Sequence, residues 1–360
     1  MLSFSIAVTG LFCMSTVVSA VPFSFPLANS FPNITIPSEQ FTVIEETAHG
    51  SIPNGAPPPS IQANTLISLQ LIAFNELFET AFFTELISNI TNNVDGYRIQ
   101  DGATRSFLLD TFTAIQAQEE LHYFNANGAL VHFKRPSIQP CQYTFPVSNF
   151  EDAIALASTF NDVVIGTLSE VVSLLGQDGD DGLIKGVAAV IGQEAEQSGY
   201  FRSMQGKIPS ALPFLTSSTR EFAFSALNQG FIVPGSCPSS QVIDVPIFAA
   251  LNVLTAGNVA AETKRVQFSV STESSGWPSD NSSCLSVVYI NQQNTPIVEK
   301  LENVVVSGTE ITFDANFPYD AGTFGNGLTI AALTNSTGPF DSEHDVALAA
   351  IFGPGLIEIN

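Results

Sequence analysis

The sequence predicts an α+β multidomain chain, a four-helix bundle with one long crossover followed by a small β-sandwich-like domain. Two observations carry the architecture. Between residues 60 and 205, apolar residues recur every three or four positions in four long stretches, the spacing of a helix face. From about residue 260 the spacing shifts to two, in short β-branched runs separated by turn residues. A third observation concerns chemistry. On the second helical stretch, two positions that should be apolar carry Glu119 and His122, a carboxylate and an imidazole one turn apart on the same face.

Residues 1–20 read as a secretory signal peptide, with an apolar core from Ile6 to Val18 and small residues at Val18 and Ala20 before the cleavage point. Residues 21–59 are rich in Pro, Ser and Asn and are predicted to form an extended N-terminal arm. The first bundle helix is predicted from Ser60 to Asn92, with a stripe of Leu69, Ile72, Glu76, Glu79, Phe83, Leu86 and Ile90. The second runs from Gly102 to Phe133 through Leu108, Phe112, Ile115, Glu119, His122, Ala126 and Leu130. A connection from Lys134 to Ser148 follows, with Pro136, Pro140, Pro146 and Cys141. The third helix starts at a capping box of Ser148 and Glu151 and continues through Ile154, Phe160, Val163, Leu168 and Val171. Gln177 to Gly182 breaks it, and the fourth helix spans Leu183 to Met204. Short links within each helix pair and one long link between the pairs give ferritin-like connectivity.

Residues 206–255 form a Pro-rich connecting segment, with a short helix over Thr219 to Asn228. Residues 256–360 are β-rich, with six or seven strands: 266–270, 285–290, 304–307, 311–313, 328–333 and 346–351 are the clearest runs.

Eleven Lys and Arg stand against 34 Asp and Glu, a net charge of −23. That balance argues against nucleic acid and anionic membrane surfaces as partners. Charged residues make up only 12% of the chain, too few for an acidic disordered tail. Beyond the signal, Glu, Asp or Asn interrupts every apolar stretch, so no membrane span is predicted. Four sequons, at Asn33, Asn89, Asn281 and Asn335, agree with export. Cleavage of the signal removes Cys13 and leaves Cys141, Cys237 and Cys284. Cys141 and Cys237 both lie in Pro-flanked loops, which favours that pair as the disulfide and leaves Cys284 over. The expected location is extracellular, free or at the cell wall, with a wall polymer or an extracellular protein as partner.

The ligand pattern of a di-metal bundle is a Glu on each of two helices and Glu-x-x-His on each of the other two. Here Glu76 stands on the first helix and Glu119-x-x-His122 on the second. Asp162 is the third-helix candidate, with Glu170 behind it, and the fourth helix carries Glu194-x-x-Gln197. Glu79, Gln118, Gln193 and Arg202 are expected around these ligands, while Glu85 and Glu120 read as solvated. Several carboxylates in one core demand a cation, protons or an internal network. Two readings follow: an iron or manganese di-metal site, and a metal-free polar core. Asp178 to Gly182 opens like an EF-hand loop, but the twelfth position is Ala189, so a solvated loop is expected. Gly322, Gly325 and Gly327 lie among strands and read as a turn. There is no Gly-x-Ser-x-Gly elbow, His49 and His344 have no triad partners, and His132 suits a helix C-terminus.

The runs Leu66 to Gln70, Asn75 to Glu79, Gln118 to His122, Pro140 to Tyr143, Ile191 to Gln197, Gly206 to Pro209 and Val233 to Pro238 occur here together. In that combination the chain resembles the fungal late-sexual-development and stress-response secreted proteins with a ferritin-like domain. It is also similar to the plant desiccation-related proteins, whose fourth helix reads Glu-x-x-His where this chain has Glu194 and Gln197, with Arg202 also in register. The resemblance implies a secreted protein of sexual development or starvation and names no reaction. Glycans and the C-terminal domain would obstruct closed cage packing. The two function classes are therefore a metal-dependent activity on iron, manganese or peroxide, and a non-catalytic extracellular or cell-wall protein.

Overall fold

The computed structural model describes residues 21–255, 259–261, 264–273, 277 and 284–359. The predicted signal with Cys13 and the sequon at Asn281 lie outside the described residues. Seven α-helices are seen among them: α1 Glu39–Thr47, α2 Ala63–Thr91, α3 Gly102–His132, α4 Phe150–Asp178, α5 Ile184–Met204, α6 Arg220–Gly230 and α7 Glu343–Ala349. α2 pairs with α3 and α4 with α5, and the Pro-rich crossover joins the two pairs. Aromatic rings weld the bundle. Phe78 is fully buried and packs its ring against Tyr143, Phe145, Phe160 and Phe231. The crossover is tied to the segment after α6 by the disulfide Cys141–Cys237 and by an antiparallel bridge from Tyr143 to Ile232.

Helix starts follow local side-chain chemistry. Asp101 caps α3 by accepting from the Thr104 backbone N–H. At α4 the expected Ser148–Glu151 box is displaced by one residue. Asn149 is the cap, with extended backbone, and its side chain accepts from Asp152 N. α2 has no cap of its own, because Gln62 makes none. Asp180, from the loop between α4 and α5, accepts from Gln62 N at 2.9 Å and from the Thr65 hydroxyl. The loop that read as a solvated EF-hand fragment thus supplies a buried carboxylate to the positive end of another helix.

Three further expectations are corrected. The arm is not extended throughout: Ser38 caps α1, and Phe31, Phe41 and Ile44 are buried, with Phe31 against Tyr123 and Phe124 of α3. Glu120 is not solvated, because Asn29 of the arm covers it and donates to its carboxylate. Windows of α2 and α4 also reach the length and mean hydropathy of a membrane span, contrary to the reading that polar residues interrupt every stretch, yet 78% of each window is buried inside the protein.

Among the described residues the C-terminal part shows eight strands: β1 Asn252–Val253, β2 Arg265–Ser271, β3 Ser286–Asn291, β4 Ile297–Lys300, β5 Glu302–Ser307, β6 Glu310–Asn316, β7 Gly327–Thr334 and β8 Ala350–Ile359. They form two antiparallel four-stranded sheets, ordered β1-β2-β6-β5 and β4-β3-β7-β8. Residues 346–351 are not one strand, because Ser342 caps α7 over the first four and β8 begins at Ala350. Phe268, Phe313, Tyr289, Leu333 and Phe352 fill the space between the sheets. Val288, Ile290, Ile330 and Ala332, on the outer face of the second sheet, meet Val163 of α4 and Phe222 and Ala223 of α6. β3 and β7 are therefore buried along their whole length, and the sandwich is docked on the bundle. One glycine sets that docking. A Cβ on Gly166 of α4 would lie 2.4 Å from the Thr216 carbonyl, so the strap between α5 and α6 runs directly over it.

Candidate metal centre

Four side chains converge midway along the bundle. α2 presents Glu76, α3 presents Glu119 and His122 from adjacent turns, and α5 presents Glu194. Their ligand atoms all lie within 4.8 Å of one another. His122 Nδ1 sits 2.9 Å from Glu119 Oε2, 3.5 Å from Glu76 Oε2 and 3.6 Å from Glu194 Oε1. The three carboxylates are buried, and the 16%-exposed imidazole is where the cluster approaches solvent.

Two amides close the cluster from the far side. Asn161 of α4 donates through Nδ2 to Glu194 Oε2 at 2.7 Å, and Gln197 donates through Nε2 to Glu119 Oε1 at 2.5 Å. The Ser198 hydroxyl lies 3.0 Å from both Asn161 Oδ1 and Asp162 Oδ1 and shares its one hydrogen between them, which favours the amide oxygen on that side and the NH2 toward Glu194. Farther out, Gln193 donates to Gln118, and Gln118 donates to the Ala48 carbonyl.

Electrostatics follow from burial. Loss of water pushes Glu76 up to about 7 despite the opposing pull of His122. Burial also raises Glu194 well above the carboxylate range, with Glu119 adding repulsion and His122 opposing it. Burial works against the His122 cation, but Glu76 and Glu119 outweigh it and hold the imidazolium well above its ordinary range. Glu79, one turn beyond Glu76, is raised by burial and by repulsion from Glu194, and neither of its buried oxygens has a hydrogen-bond partner.

The residues fit a cation. Glu76 Oε2 and Glu194 Oε1 are buried oxygens without a hydrogen-bond partner, and both face His122 Nδ1. Three carboxylate oxygens and one imidazole nitrogen make a hard-to-borderline donor set, suited to iron, manganese or zinc.

Of the residues anticipated from sequence, Glu76, Glu119, His122 and Glu194 come together, and Gln197 joins them through Glu119. Asp162 does not reach the group. One residue on a helix turns the side chain by about 100°, so Asn161 faces Glu194 while Asp162 accepts from Ser198. Arg202 also stands apart, donating to the Ile208 carbonyl and facing Glu358 of β8 at 3.7 Å. Glu170 lies at the sandwich contact, where it accepts from Arg220 N and faces His344. Sequence reasoning missed Asn161, although an adjacent Asn and Asp in an apolar helix were the available signal. A cavity of about 20 Å³ between α2, α4 and α6 touches Glu76 and Asn75 and is otherwise almost entirely apolar, with Leu71, Val164, Leu168 and Ala223 among its walls.

Comparison with known families matches residues 68–207 to the ferritin-like domain. The match runs from within α2 to just past the end of α5 and leaves the arm, α6 and the sandwich outside it. Among curated proteins the chain finds no match.

Proposed function

Taking as premise that this chain carries a ferritin-like domain in residues 68–207, we propose that the domain binds iron or manganese through Glu76, Glu119, His122 and Glu194. The observation that carries this reading is the pair of buried, undonated oxygens, Glu76 Oε2 and Glu194 Oε1, converging on His122 Nδ1. When bound, such an ion supplies Lewis acidity and one-electron redox chemistry. The chain's own residues do the rest. Three carboxylates would offset the cation's charge, and their burial keeps bulk water from all but the His122 edge. The small apolar cavity beside Glu76 has room for about one water-sized molecule.

The surrounding protein is read as secreted, in keeping with the signal-like first twenty residues, the disulfide and the exposed sequon residues Asn33 and Asn335. A role in fungal sexual development or starvation belongs to the same proposal and rests on the resemblance alone. The second reading is a metal-free polar core in a non-catalytic extracellular or cell-wall protein. It draws on the same cluster, since a His122 imidazolium held among carboxylates is an internal ion pair. Elemental analysis of the secreted protein, purified without chelator or His-tag beside a Glu119→Ala/His122→Ala variant, separates the two. The metal reading expects bound iron or manganese that the variant loses. A folded wild-type chain that stays metal-free after anaerobic loading with ferrous and manganous ions would sink it.

A further inference from the structure

We propose that this centre is built for a single cation, with Asn161 and Gln197 standing where the ligands of a second ion would be. The inference rests on the metal reading above and deepens it. A two-ion bundle site needs a carboxylate on each of four helices and an imidazole on each of two, so that two carboxylates are shared between the ions. The first half of such a set is complete here in Glu76, His122, Glu119 and Glu194. The second half would draw its own ligands from α4 and from the fourth-helix position three residues after Glu194. Those positions hold Asn161 and Gln197, which are neutral amides.

The amides are not idle replacements. Each donates an N–H to the oxygen that a shared carboxylate would need for the second ion, Asn161 to Glu194 Oε2 and Gln197 to Glu119 Oε1. The remaining oxygens, Glu194 Oε1 and Glu119 Oε2, are the ones turned toward His122. An N–H donor on a carboxylate oxygen competes with a cation for the same lone pairs, and two such donors neutralise demand that would otherwise draw a second ion. Ser198 makes the arrangement directional. Its one hydroxyl hydrogen is shared between Asn161 Oδ1 and Asp162 Oδ1, each 3.0 Å away, so rotating that amide to offer its oxygen as a ligand would break the bond to Glu194 and give up its share of this contact.

The test is stoichiometry. The full secreted chain is loaded anaerobically with excess Mn(II), desalted, and examined by elemental analysis and electron paramagnetic resonance. One equivalent per chain, with the spectrum of a magnetically isolated Mn(II), is the expected result. Two equivalents, or an exchange-coupled spectrum, would overturn the single-ion inference and leave the metal reading standing. No bound manganese would overturn both. The isosteric Asn161→Asp paired with Gln197→His restores the second ligand set and should raise the stoichiometry to two with a coupled signal. A folded double variant that still holds one ion would show that the amides do not set the number. Should that variant fail to fold, the wild-type stoichiometry alone decides.

Discussion

Replacing Glu170 by Gln should make the protein more stable at alkaline pH and almost unchanged at acidic pH. Glu170 lies near the end of α4 under the sandwich, with Oε2 accepting from the Arg220 backbone N–H at 2.7 Å and Oε1 3.5 Å from His344 Nδ1. Burial, reinforced by Glu221 and Glu343 and opposed by Arg220, pushes its carboxyl up to about 8 from an ordinary 4.5. The folded state therefore holds this proton more tightly than the unfolded chain. Stability is highest below the unfolded value and falls as pH rises toward about 8, where the penalty is complete. At about 1.4 kcal/mol per unit, the difference between pH 5 and pH 9 is bounded near 4 kcal/mol, and relaxation around the ionised group brings it to about 2 kcal/mol. The amide oxygen of Gln keeps the bond from Arg220 N and removes the charge. Thermal unfolding of both proteins at pH 5, 7 and 9, with equal metal content, should show the variant gaining about 3 °C at pH 9 and little at pH 5. A gap between the two proteins that is the same at every pH would refute the reasoning, since charge would then not be its source.

Two other perturbations follow from the same packing. Cys237→Ser opens a loop spanning 96 residues, and chain entropy places the loss at about 4–5 kcal/mol. Urea unfolding midpoints that coincide for the variant and the wild type would count against a structural disulfide. Gly166→Ala drives a methyl onto the Thr216 carbonyl and should cost about 1–3 kcal/mol. Unchanged stability would mean that the strap over α4 yields freely, and hydrogen exchange in residues 215–219 would show where it moved.

The helices were legible because their apolar period is long and strong, and the candidate ligands on α2, α3 and α5 interrupt stripes whose inward face is unambiguous. α4 is apolar nearly all round, so its sequence left the inward face open by one step, and that step separates Asp162 from Asn161. Caps were legible to within a residue where they are local, as at Asn149. They were invisible where distant chain supplies them, as Asp180 does for α2. Glu120 misled for the same reason, because its cover is Asn29 of the arm. In the sandwich, β-branched runs marked the strands, but Gly353, Pro354 and Gly355 hid β8, whose place comes from pairing with β7 rather than from propensity.

The pairing of Arg202 with Glu358 bears on how this polypeptide is made. By the end of α5 the growing chain holds every residue of the candidate metal centre and all four bundle helices. Its buried guanidinium then waits for a carboxylate that arrives only with the last strand described, β8. Asp162 of α4 already faces that guanidinium, and burial pushes Glu358 itself up to about 8, so β8 adds cover more than charge. A fragment cut at the boundary of the family match would inherit the candidate ligands together with an uncovered Arg202 and a bare apolar flank on α4. Anyone expressing the helical portion by itself should expect a poorly soluble piece, whose metal content would say little about the intact molecule.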